Sequence, residues 1–142
     1  VSYTVEDIEE LVQDTGWDVT YIPYKETEPK TEHITGWHEF EEYIGVSKER
    51  WNPDTRKFAP IPESEIDYKY FEGFGRIELE DTFGGEGQGD QYWFVFKITD
   101  DNGEVRYFRR DGWYASFNGG YYDGPTEEVV SQEKTITVWV KK

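Results

Sequence analysis

Two short runs near the N-terminus place their apolar residues at helical spacing. Val5, Ile8, Leu11 and Val12 mark one face of a segment bounded by Thr4 and Gly16, which predicts a helix over Val5–Thr15. Thr4 has N-cap chemistry, with Asp7 at the third helical position as a capping-box variant. Glu6 and Asp7 also lie at the positive end of the helix dipole, and Gly16 supplies a stop. The pattern turns Glu6, Glu9, Glu10 and Asp14 outward. Trp17, Val19 and Tyr21 then alternate with Asp18 and Thr20, which predicts a strand ending at Pro23. The polar run 24–32 predicts a loop. Trp37, Phe40, Tyr43 and Ile44 return to helical spacing between Gly36 and Gly45, giving a short second helix with Glu39, Glu41 and Glu42 beside them. Asn52-Pro53-Asp54 is a turn signal between two short extended pieces. Pro60 and Pro62 remove ladder donors, so 59–65 is not a central strand.

From Ile66 onward the period is two. Ile66, Tyr68 and Tyr70 alternate with polar neighbours, as do Ile77 and Leu79. After a glycine-rich loop, 91–98 (QYWFVFKI) is apolar on both faces, as a central strand requires. Asp101-Asn102-Gly103 predicts a hairpin turn. Asp111-Gly112 and Asn118-Gly119-Gly120 punctuate two more extended pieces. Ile136, Val138 and Val140 alternate with Thr135, Thr137 and Trp139 and predict a last strand. There is no internal repeat. The expected architecture is α+β: a mostly antiparallel sheet of five to seven strands, with one or two short helices near the N-terminus. One domain over 1–142 is expected, with a mixed acidic part (1–65) and a β-rich part (66–142).

Charge changes the picture most. The chain carries 15 Lys+Arg against 31 Asp+Glu, a net charge of −16 over 142 residues. The excess is uneven: 4 basic and 13 acidic side chains in 1–50, 5 and 11 in 51–100, 6 and 7 in 101–142. Self-repulsion on this scale aids solubility and argues against DNA, RNA or anionic lipid as direct partners, since those need a basic surface. Acidic disordered chains are poor in rings. This one has 6 Trp, 11 Tyr and 9 Phe, enough for a ring-rich core. It has no Cys, hence no disulfide, thiolate metal site or cysteine nucleophile. No apolar run approaches the ~18 residues of a membrane span. The first residues lack the basic and apolar regions of a signal peptide, so a cytoplasmic location is expected. The sequence contains no Met and opens on Val1, which fits a removed leading segment or a GTG start codon written as Val.

Few constellations point to catalysis. The glycines of 83–98 (FGGEGQGDQYWFVFKI) suggest a phosphate loop, but a dinucleotide fingerprint opens a helix, a P-loop needs Lys-Ser/Thr, and Glu86 and Asp90 would repel phosphate. A hairpin loop is the expected role. His33 and His38, with Glu32, Glu39 and Glu42, have no metal-site spacing, so no metal and no cofactor are expected. Glu78, Glu80, Glu86 and Asp90 include possible glycosidase pairs, which only a measured separation across a cleft would establish. Lys97, Arg106, Arg109 and Arg110 form the one basic cluster, near Trp93, Tyr107 and Trp113. On paired strands these cations are expected to meet carboxylates such as Glu78 and Glu80 rather than a nucleic acid.

The stretch from Phe83 to Val140, with FGGEGQGDQYWFVFKI, VRYFRRDGWYASFNGGYYDG and EKTITVWV, resembles small uncharacterised acidic proteins of bacteriophages and related mobile elements. The resemblance covers about the last 60 residues and implies a phage-type origin; it carries no site residues. The expected function is that of a non-enzymatic acidic protein, acting in a host cell by occupying the basic site of a nucleic-acid-binding or defence protein, much as DNA would. Glu6, Glu9, Glu10, Asp14, Glu39, Glu41 and Glu42 would supply the field, and Tyr21, Tyr24 or Trp37 would anchor the contact. A virion component, such as a capsid decoration or tail module, is the alternative, and a small glycan-acting hydrolase the third reading.

Overall fold

The structure, a computed structural model, describes residues 2–142. The first helix, α1 (Val5–Glu10), begins on a reciprocal cap. Thr4 Oγ1 accepts from the Asp7 amide at 3.2 Å, and Asp7 Oδ2 accepts from the Thr4 amide at 2.8 Å. Its last turn widens to π geometry over Leu11–Thr15 and ends where the Gly16 amide, at a left-handed φ of 68°, donates to the Leu11 carbonyl. The hairpin β1 (Trp17–Tyr21) and β2 (Lys30–Ile34) follows, then α2 (Trp37–Ile44) and a second hairpin, β3 (Glu49–Asn52) and β4 (Lys57–Pro60). A single 3₁₀ turn at Glu63–Glu65 leads into the main sheet.

The main sheet is antiparallel, in the order β10-β8-β7-β6-β5, with β9 also paired to β8. Its strands are β5 (Lys69–Phe71), β6 (Gly75–Phe83), β7 (Gln91–Thr99), β8 (Val105–Ala115), β9 (Gly119–Tyr121) and β10 (Thr126–Val129). The expected α+β class, with a mostly antiparallel sheet and helices near the N-terminus, is what the chain adopts. β7 lies inside the sheet between β6 and β8, and the glycine loop joins β6 to β7 as an antiparallel connection. A bulge between Leu79 and Asp81 shifts the register near that loop.

One face of the sheet carries Ile77, Phe94, Phe96, Ile98 and Phe108, all fully buried. Ile8 and Val12 of α1 and Trp37, Phe40 and Ile44 of α2 cover it, so residues before and after position 65 share one hydrophobic cluster. Burying each such side chain is worth about 1.5–3 kcal/mol. The rings interlock edge to face: Phe40 meets Phe96 at 5.3 Å and Trp17 at 5.7 Å between centroids.

Three expectations need correction. The polar run 24–32 is a loop only in its first part, because β2 takes Lys30–Ile34. Cross-strand polar pairs hold that strand: Thr20–Thr31 at 2.9 Å, Tyr21–Glu32 at 2.7 Å and Asp18–His33 at 2.8 Å. Asp111-Gly112 does not interrupt a strand, since β8 runs through it to Ala115. A Cβ at Gly112 would overlap the Tyr121 carbonyl oxygen, so the glycine admits the close return of the chain rather than a turn. The last predicted strand does not form: residues 130–142 join no ladder. β8 is paired on both sides, by β7 and by β10 with β9, so it offers no free edge.

Candidate partner-binding surface

The two helices lie in one layer on the sheet and are tied together. The Gly36 amide donates to the Val12 carbonyl at 2.7 Å, and Trp37 Nε1 donates to Gln13 Oε1 at 2.8 Å. With Ile8 and Val12 turned to the sheet, Glu6, Glu10 and Asp14 recur at intervals of four on the solvent side of α1 and its widened turn. Trp37, Phe40 and Ile44 bury the inner side of α2 and leave Glu39 and Glu42 exposed. None of these five carboxylates has an ion pair among the described residues.

The carboxylates nearer the sheet are engaged. Glu9 Oε2 accepts from Arg110 Nη1 at 3.1 Å. Arg110 is buried and also donates to the Tyr122 carbonyl and to Thr126 Oγ1, both at 3.0 Å, with its guanidinium 4.5 Å from the Trp37 ring centroid. Burial pulls the Arg110 pKa below its usual value, and Glu9 opposes that pull. Glu41 Oε2 accepts from the Tyr122 hydroxyl at 2.8 Å. Burial first, and then the Glu41 and Tyr92 hydrogen bonds, push the Tyr122 pKa far above the ordinary phenol value, so this hydroxyl stays a donor.

Two shallow grooves open on the helical layer, each with an apolar floor and an acidic rim. One, of about 440 Å³, is floored by Tyr3, Leu11 and Phe74 and rimmed by Asp7, Glu10 and Glu72. The other, of about 270 Å³, is floored by Trp17, Val19, Ile34 and Tyr43 and rimmed by Glu39 and Glu42. Both have room for an apolar side chain with a cation beside it.

The residues singled out from the sequence therefore divide. Glu6, Glu10, Asp14, Glu39 and Glu42 stand free on one layer. Glu9 and Glu41 hold that layer to the sheet and have less field to offer. Trp37 is no anchor, because it is 7% exposed and forms part of the core beneath α2. Tyr24 is 90% exposed in the β1–β2 connection, and Tyr21 is partly exposed with its hydroxyl on Glu32. The sequence reading missed a second aromatic surface. Trp51 and Phe58 face each other across the β3–β4 hairpin, exposed, with centroids 5.3 Å apart. The signal was present in the Asn52-Pro53-Asp54 turn, which sets Trp51 opposite Phe58 once the hairpin closes.

The three arginines of the basic cluster are paired internally, though with partners other than those expected, while Lys97 makes no ion pair among the described residues. Arg106 makes a two-pronged bond to Glu128 at 2.9 Å, and Arg109 pairs with Asp111 at 2.7 Å while lying 4.4 Å from the Trp93 ring centroid. Glu78 lies opposite Lys97 in register, but its buried carboxylate meets Arg76 at 3.0 Å and Lys48 at 3.7 Å. His33 and His38 point to different partners: Nδ1 of His33 meets Asp18, and Nε2 of His38 donates to the Gly120 carbonyl at 2.8 Å. Among the described residues no group of three or more His, Asp or Glu is arranged to hold a metal ion. No helix among them is long and apolar enough to cross a membrane. Comparison with protein-family models, with curated proteins and with solved structures gives no match.

Proposed function

We propose that this chain is a non-enzymatic acidic binding protein of phage type that occupies the basic, nucleic-acid-binding site of a host protein. One observation carries the reading: Glu6, Glu10, Asp14, Glu39 and Glu42 stand exposed on a single helical layer, with no ion pair among the described residues, while the arginines of β8 are bonded elsewhere. A rigid layer of carboxylates presents fixed negative charge, as a phosphate backbone does, and steers a basic partner toward it. The acidic-rimmed grooves at Leu11 and Tyr43 give that partner apolar footholds beside the charges. Cytoplasmic action in the host belongs to the same proposal.

The test is a pull-down from host lysate at low and high salt, using the native chain and a variant with Glu6, Glu10, Glu39 and Glu42 reversed to Lys. A captured nucleic-acid-binding protein should be retained at low salt and released at about 0.5 M salt, where the screening length falls to a few ångströms. The reversed variant should associate at least tenfold more slowly. A partner whose capture ignores both changes would refute the proposal. The virion-component reading is favoured by a different observation, the strand-like 130–142 segment without a partner strand, and co-sedimentation with particles would select it.

A further inference from the structure

We propose that residues 134–142 form a strand with a second copy of this chain, pairing along the outer edge of β10 in a two-fold, antiparallel arrangement. The segment has the surface of a strand. Ile136, Val138 and Val140 alternate with Thr135, Thr137 and Trp139, and the β-branched residues among them favour extended backbone. Yet Ile136, Val138 and Val140 are exposed and Trp139 is 94% exposed. Among the described residues, the backbone hydrogen bonds outside the ladders do not reach 126–142. Several consecutive apolar side chains and a row of unpaired amides in water form a template for strand addition.

The chemistry of the segment selects its occupant. Glu133, Lys134, Lys141 and Lys142 make 133–142 net basic, at two above neutral, while the rest of the chain holds all of the acidic excess. The segment is thus attracted to the body of its own kind. The edge it meets is β10, which pairs only with β8 and carries Glu127, a carboxylate with no cation partner among the described residues. Laying 135–138 along β10 of the second copy carries Lys141 and Lys142 past the start of that strand toward Asp123. Because β10 leads directly into the segment, each copy is donor and acceptor at once, and the pairing closes on itself as a two-fold interface.

Symmetry also fixes the faces. In a two-fold antiparallel pair, residues opposite one another have numbers of equal parity, and opposed residues share a face. Ile136, Val138 and Val140 then fall beside Thr126 and Glu128, on the α1 side of the sheet. Trp139 falls with Glu127 and Val129 on the other side, where Val95, Tyr107, Val129 and Val130, with Glu80 and Asp81 at the margin, line a recess of about 300 Å³. Both apolar sets gain a surface to cover.

Sedimentation velocity of the full chain from 5 to 500 µM is the test. A dimer is expected whose population rises with protein concentration across this range. Ile136→Pro and Thr137→Pro are made separately, since alternate amides face the partner; at least one should raise the dissociation constant tenfold or more while the far-UV spectrum stays unchanged. The chain has no Cys, so Val138→Cys mixed with single Cys variants at positions 126–129 reports the register. One of these mixtures should form an intermolecular disulfide under mild oxidation. A chain that stays monomeric through this range overturns the proposal. So does a dimer indifferent to both prolines, or one cross-linked only at positions other than β10. Binding of the monomer to anionic vesicles through Trp139 would also overturn it, and would identify the segment as a membrane contact.

Discussion

The two sides of the helical layer use charge in opposite ways. On the side facing the sheet, Arg110 is enclosed by Glu9, Thr126, the Tyr122 carbonyl and the Trp37 ring, and every contact is specific. On the solvent side, Glu6, Glu10, Asp14, Glu39 and Glu42 touch no cation among the described residues. The inner charge is expensive to desolvate and holds only because its partners are complete. The outer charges cost little in place and act at a distance. A short amphipathic helix thus fastens the layer with Glu9 and advertises it with Glu6 and Glu10.

Substitutions on the inner side should dominate stability. Phe96→Ala removes a fully buried ring beneath both helices and should cost about 3–5 kcal/mol, read from urea unfolding midpoints. Arg110→Met should cost roughly 2–4 kcal/mol by the same measurement, since the Tyr122 carbonyl and Thr126 lose their donor. A cost near zero would show that the enclosed charge contributes no more than its packing. Thr4→Ala removes the cap of α1 and should cost about 1 kcal/mol, since the cap satisfies one orphan amide and little else.

The outer side should respond weakly in stability. Reversal of Glu6, Glu10, Glu39 and Glu42 to Lys takes the net charge from −16 to −8, each reversal adding two. Each should change unfolding free energy by no more than about 0.5 kcal/mol. A large loss would mean that these carboxylates are structural after all.

The smallest effects are those of pH. The Asp18 hydrogen bond holds the His33 pKa above its ordinary value. The stability this pair adds is therefore present at pH below about 6.5 and is lost as pH rises through the raised value. An NMR titration of His33 should give a midpoint above 6.5 that falls in Asp18→Asn. Glu128 runs the other way. Arg106 holds its pKa below the usual carboxylate range, so its contribution is present above that range and fades as pH falls through the lowered value.

Much of the inner side was legible in the sequence, and little of the rest. The capping box at Thr4 and Asp7, the helical spacing of Trp37, Phe40 and Ile44, and the two-faced apolarity of β7 all rest on local patterns that burial then rewards. β2 was not legible, because polar pairs with β1 hold it and no hydrophobic period marks it. The 130–142 segment shows the converse: a strand pattern states what a segment would do beside a partner, and this chain supplies none. Among the candidate site residues, spacing separated inward from outward carboxylates only approximately. Glu9 and Glu41 lie at the boundary of the polar face, and only the positions of Arg110 and Tyr122 decide that they turn inward. Trp37 was misread because an aromatic beside a helix start looks the same in sequence whether it anchors a partner or fills a core.

The glycine loop between β6 and β7 is where an insertion is expected to be tolerated. Gly84 is fixed, since a side chain there would overlap the Gln91 carbonyl and the Tyr92 ring, but the space around Gly85, Gly87 and Gly89 is open for 4 Å. Foreign sequence spliced between Gly85 and Gly89, such as an epitope or a fluorescent reporter, would leave the ladder on either side in register and emerge from the end of a nine-residue strand.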